Sequence, residues 1–135
     1  MIKDSAPQLL FYQKLGELFY AIAASDKVVR EAEYKILTHL VEEAWTKMDT
    51  YKDAFNSDAA YQISIVFEWF DYEQMDAEDC FESFSNYYKD HTNIFTAPRK
   101  ELILKTLSSI ANAFSGVNKS ELIMLAKTQL LFKNN

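Results

Sequence analysis

Ile22-Ala23-Ala24-Ser25-Asp26-Lys27-Val28-Val29-Arg30-Glu31-Ala32-Glu33 aligns without gaps, 88 residues further on, with Ile110-Ala111-Asn112-Ala113-Phe114-Ser115-Gly116-Val117-Asn118-Lys119-Ser120-Glu121. Ile, Ala, Val and Glu fall at matching positions. In each stretch an apolar helix end meets a tight turn, one aliphatic plug follows (Val29 or Val117), and a Glu stands four residues after the plug. The pattern predicts two helix hairpins, one at each end of the chain, docked around a shared apolar interior.

Working outward, Leu15, Leu18, Phe19, Ile22 and Ala23 recur at helical spacing and predict a first helix over about 8–25, with Ser5 as cap and Pro7 in its first turn. A second helix is predicted over about 31–48, with Ile36, Leu37, Leu40, Val41 and Ala44 facing inward. The polar stretch 49–55 reads as a connection. Asn56 or Ser57 can cap a third helix reaching Glu73, with Ala60, Ile63, Val66, Phe67 and Phe70 inward. Asp76 can cap a fourth, Thr96 with Pro98 a fifth, and Asn118 with Glu121 reads as a capping box for a sixth over about 119–132. The expected inner face of the fifth is Leu102, Leu104, Leu107, Ile110 and Ala111. The whole of 1–135 is expected to form one all-α bundle of six to seven helices.

Composition narrows the function classes. Two glycines and two prolines in 135 residues, where average usage would give roughly 16, leave no room for Gly-rich phosphate loops or turn-dense β folds. The longest apolar run, Leu18–Ala24, is far short of the roughly 20 residues a bilayer crossing needs. No leader pattern is seen, and the single cysteine, Cys80, allows no internal disulfide. A cytoplasmic location without membrane association is expected. Net charge is −6, unevenly placed: −2 over residues 1–55, −8 over 56–95 and +4 over 96–135. An acidic middle and a dispersed basic tail exclude the basic footprint of a nucleic-acid binder.

The paired turns resemble the signature of the TerB-like proteins, named for tellurite resistance and found also in membrane-anchored DnaJ-type co-chaperones. In that pattern an Ala-rich helix end is followed by Asp-Gly, one residue, an aliphatic, three residues and Glu. Asp26, Val29 and Glu33 match in the first copy, with Lys27 where Gly is usual. Val117 and Glu121 match in the second, where Phe114, or Ser115-Gly116 after a one-residue slip, leaves no carboxylate. The resemblance covers about residues 8–48 and 98–132. It implies a pseudo-twofold between the first and last helix pairs, a stress-related setting, and turn carboxylates suspected of binding metal. It carries no shared reaction.

Candidate sites follow. Asp26 and Glu33, with Glu121 opposite, could contribute carboxylates to a divalent cation, which wants several oxygens. The competing and preferred reading is structural: Glu33 and Glu121 lie three residues after the cap positions Arg30 and Asn118, and Asp26 can close its own turn. The acidic run 71–82 places Met75 and Asp76 where a calcium loop needs a ligand and a glycine, so it is read as a solvated helix start. His39 and His91 have no ligand-type neighbours. Cys80, among acids, is expected to resist ionisation. No catalytic set is found, and no enzyme activity or cofactor is expected beyond the divalent-metal alternative. Phe67, Phe70, Phe81, Phe84, Tyr87 and Tyr88 read as core. Trp69 and Tyr72, beside Glu68 and Glu73, read as an interaction surface for a basic protein partner or, through the positive C-terminal segment, for a homo-oligomer.

Overall fold

The structure, a computed structural model, describes residues 2–48, 58–113 and 118–133, with side chains from Pro7 onward. Among these residues it is all-helical, with six helices of ten residues or more and no strand: α1 (Ile2–Ala23), α2 (Glu31–Leu40), α3 (Gln62–Glu73), α4 (Ala77–Asp90), α5 (Ala97–Ala111) and α6 (Lys119–Lys133). Short helical turns extend α2 (Val41–Trp45, then Thr46–Met48), introduce α3 (Ala59–Tyr61) and link α4 to α5 (Thr92–Ile94).

The run Leu18–Ala24 explains the architecture. A helix that is apolar all round must be surrounded, and every residue from Leu15 to Ala24 is buried. α1 is accordingly the central element, packed by α3, α4, α5 and α6. The two terminal hairpins meet: α2 and α5 pack together, and α1 touches both α5 and α6. Gly16 sets the α1–α3 crossing. A Cβ there would lie 2.6 Å from the Ile63 carbonyl oxygen and 3.0 Å from the Val66 Cβ, so the two backbones approach to a separation that only glycine permits.

The caps of α4, α5 and α6 fall on the expected residues. The Asp79 amide donates to Asp76 Oδ2 at 3.0 Å, the Arg99 amide to Thr96 Oγ1 at 3.4 Å, and the Glu121 amide to Asn118 Oδ1 at 2.8 Å. Differences from the expected elements have local causes. α1 begins at Ile2, so Ser5 and Pro7 lie inside it. Pro7 is the sixth residue of α1, so it removes one hydrogen bond of the first two turns and leaves the rest of the helix intact. The cap candidates Asn56 and Ser57, the connection 49–55 and the second plug Val117 lie outside the described residues. In the extension of α2 a wide π-type turn rotates the helix by one residue, and Trp45, not Ala44, takes the inward position. Its indole N–H donates to Thr106 Oγ1 at 3.1 Å in the interior. On α5, Ile103 is fully buried, while Leu102 and Leu104 flank the core as partly buried neighbours.

The aromatic stripe of α4 is core, as expected. It closes on Phe95, from the α4–α5 link, whose ring meets Phe11, Phe84, Tyr87, Tyr88 and Phe132 at centroid separations of 4.8–6.1 Å, mostly edge to face. Edge-to-face contact suits the ring quadrupoles, and it ties α1, α4 and α6 through one residue.

Candidate functional site

Among the described residues, a buried acidic junction between the terminal hairpins and an apolar face of α3 left in solvent depart from the rule of apolar inside and polar outside.

The junction is built by turns and caps. Asp26 closes its turn by accepting the Val28 amide on Oδ1 at 3.1 Å. Lys27 there has a φ of 71°, the left-handed conformation that L side chains disfavour, which is the physical reason a glycine suits that slot. Glu33 Oε1 accepts the Arg30 amide at 2.8 Å, and Glu121 Oε1 accepts the Asn118 amide at 3.3 Å. Each glutamate therefore serves the open N-terminus of its own helix. The two arrangements also meet. Asn118 Nδ2 donates to Asp26 Oδ2 at 2.7 Å, across 92 residues of sequence, and Arg30 Nη1 donates to the same oxygen at 2.9 Å. Glu33 and Glu121 stand within hydrogen-bonding reach of each other. Both are almost wholly buried, at 1% and 2% exposure.

Electrostatics follow from this geometry. Burial, and then the neighbouring Glu121, push the Glu33 carboxyl up to about 8, against the pull of the Arg30 amide and guanidinium. The direction is that of a carboxyl pair that favours holding one proton between its two members, where an O–H of one can donate to the other. Glu121 Oε2 is buried with no hydrogen-bond partner, and a proton held between the two carboxyls would satisfy it.

Asp26, Glu33 and Glu121 are thus brought together, but the cation facing Asp26 and Glu33 is the guanidinium of Arg30, at 2.9 Å and 3.9 Å. Among the described residues no group of three or more His, Cys, Asp or Glu side chains is placed to hold a metal ion. The stretch 71–82 is divided between the end of α3, a turn, and the start of α4 capped by Asp76. His39 is exposed. Cys80 is buried, and its thiol is pushed up to about 12 by burial and by Glu17, Asp76 and Asp79.

The second place is the outer face of α3. Its inner side buries Ile63, Val66 and Phe67, yet Tyr61, Ile65, Trp69 and Tyr72 recur at four, four and three residues on the opposite side, and are 39%, 54%, 58% and 83% exposed. Glu68 and Glu73 are exposed as well. Glu68 lies between Ile65 and Tyr72 along the helix surface, and Glu73 one turn beyond Trp69. Beside this stripe runs a groove of about 420 Å³ between α3 and α1, lined by Leu10, Gln13, Lys14, Glu17, Ile65 and Trp69 among others. Its base is polar and braced: Gln13 donates to Gln62 at 3.1 Å, and Lys14, Glu17 and Ser83 bond one another at 2.9–3.2 Å. Trp69 and Tyr72 were legible in the sequence. Tyr61 and Ile65 have no acid pattern to mark them, and only their spacing with Trp69 carries the signal. Leu10 and Glu17 belong to the face only through the tertiary crossing at Gly16.

No helix among the described residues is long and apolar enough to cross a membrane. Comparison with family models, curated proteins and solved structures found no match.

Proposed function

We propose that this chain is a TerB-like helical interaction module, without catalytic activity of its own, that receives a basic amphipathic helix on the outer face of α3 and the adjoining groove of α1. One observation carries this reading. α3 presents an apolar stripe about 16 Å long at 1.5 Å per residue, exposed and edged with carboxylates. A water-facing Ile, Trp and two Tyr at helical spacing have no use in a monomer's own packing. Large aromatics with an acidic rim suit a helix-in-groove contact with a cationic partner. The pseudo-twofold belongs to the same proposal. It draws support from Glu33 and Glu121, each three residues after its cap and each facing the other from its own hairpin. A stress-related regulatory role in the cytoplasm is the setting the TerB resemblance suggests.

The test uses a synthetic Leu/Lys amphipathic helical peptide, with tryptophan emission as readout. Trp45 is fully buried, so a blue shift on titration reports Trp69. The shift is expected for the Leu/Lys peptide, not for a Leu/Glu peptide, and should be lost in Ile65→Lys. No shift at millimolar peptide, or equal response to both peptides, refutes the reading.

A second reading, a divalent cation on Asp26, Glu33 and Glu121, has for it the unpartnered Oε2 of Glu121 and against it that, among the described residues, no three such side chains are placed around one point. Thermal unfolding with calcium, magnesium, manganese or zinc decides it, since a ligand of the native state must raise the melting temperature. No rise at millimolar metal removes this reading.

A further inference from the structure

The groove reading leaves its partner open, and the same chain carries a helix with the required chemistry. α6 buries Glu121, Met124, Thr128 and Phe132. Its opposite side leaves Leu122, Ile123 and Leu130 at 56%, 51% and 57% exposure, with Ala126 exposed between them. Their spacing of three, four and seven residues makes a continuous ridge. Lys119 and Lys133 are exposed one turn beyond either end. The ridge is therefore apolar with cationic ends, where the α3 stripe is apolar with an anionic rim.

Resting on the groove reading of α3, we propose that its occupant is α6 of a second copy of this chain, joined head to tail. Charge selects this pairing among the three available. Two α3 faces would set Glu68 and Glu73 against their own counterparts, and two α6 faces would oppose lysines. Only α3 against α6 brings unlike charges to both rims. Size agrees: Leu122 to Leu130 spans about 12 Å, within the 16 Å stripe, and a lysine at one end of the ridge then falls at the end of the stripe that carries Glu68 and Glu73, about 8 Å apart. Because the two surfaces differ, every copy offers one of each, and association closes as a reciprocal twofold dimer where both contacts form between the same two copies and otherwise grows into rings or open chains.

Sedimentation velocity over a concentration series tests this on the full chain. The wild type should self-associate, more weakly at high salt. Trp69→Lys and Leu130→Glu should each weaken association by about 30-fold or more, the range of a lost interface anchor. Both positions are exposed, and circular dichroism of each variant checks that the fold is kept. Mixing the two variants is the deciding arm. Each retains the face the other has lost, so a capped one-to-one dimer should form where neither variant alone associates. The double reversal Glu68→Lys, Glu73→Lys should abolish association, and mixing it with Lys119→Glu, Lys133→Glu, which makes both contacts complementary again between unlike variants, should restore association of the two in alternation. A wild type that stays monomeric, or variant mixtures that do not pair, overturns the proposal. If the Leu/Lys peptide still shifts Trp69 in that case, the groove reading stands and only its occupant is wrong.

Discussion

Replacing Glu33 with glutamine should stabilise the protein at alkaline pH, although it removes an acid that caps a helix. The folded chain holds the Glu33 proton up to about pH 8, against 4.5 for the ordinary side chain. In the unfolded chain the proton leaves near that lower value. Between those limits the native state binds more protons than the unfolded state, so stability falls as pH rises. The contribution is fully present below about pH 4.5 and is lost as pH climbs through 8. At 1.36 kcal/mol per unit, the whole interval corresponds to at most about 5 kcal/mol. In Glu33→Gln the side-chain oxygen can still accept the Arg30 amide, as Oε1 does now at 2.8 Å, and the amide N–H can donate permanently to Glu121 Oε2, which otherwise has no partner. Urea unfolding followed by circular dichroism at pH 5, 6.5 and 8.5 checks this. Subtracting wild type from variant removes the slopes of the other carboxylates. The difference should be within about 1 kcal/mol at pH 5 and should rise to about 2–4 kcal/mol in favour of glutamine at pH 8.5. Glu33→Ala, which deletes the acceptor and leaves a cavity, should destabilise by about 2 kcal/mol or more at every pH. A glutamine variant that keeps the wild-type pH slope, or loses as much as alanine at pH 8.5, refutes the shared-proton account.

Three further substitutions probe the frame. Gly16→Ala should cost about 1–3 kcal/mol in chemical unfolding despite alanine's higher helix propensity, because the new Cβ meets the Ile63 carbonyl at 2.6 Å. Lys27→Gly should raise stability by about 0.5–1 kcal/mol, by relieving a φ of 71° at a cost in unfolded-state entropy smaller than the strain removed; an unchanged or lower melting temperature would show that the turn is not strained. Thr106→Val should lose about 1–3 kcal/mol, since the buried Trp45 indole N–H, now bonded at 3.1 Å, would be left without an acceptor.

How much was legible depends on the range of the signal. The all-helical class and most caps were, because Asp76, Thr96 and Asn118 act on amides three residues away. The pairing of Glu33 with Glu121 was foreshadowed by their matching places in two similar stretches, but each capping box would form without the other. Their shared proton comes from burial, which no local spacing reports. Trp45 escaped because a π-type turn shifts the inward face by one residue, and regular periodicity then points to Ala44. Phe95 escaped because it sits in a connection, where no period operates, yet five rings gather on it. Trp69 and Tyr72 stood out by the acids beside them. The groove needed the α1–α3 crossing, and that depends on the absence of one side chain at Gly16.

The two anomalies of this fold differ in kind, and the difference bears on what each can do. Buried polar groups in a helical bundle cost stability unless they are fully paired. At the junction they are paired, by caps, by Arg30, by Asn118 and by one proton. The cost is met inside the molecule, and the result is a register mark that only the docked hairpins complete. The α3 stripe and the α6 ridge have no such internal settlement. Seven large apolar side chains remain in water on two helices whose opposite sides are buried, and local sequence does not require them there, since helices of this length hold their place by one apolar face. A fold that resolves its polar conflict internally and leaves its apolar one open is what the proposed pairing of those two helices would complete, with opposite charges at their edges to set which meets which.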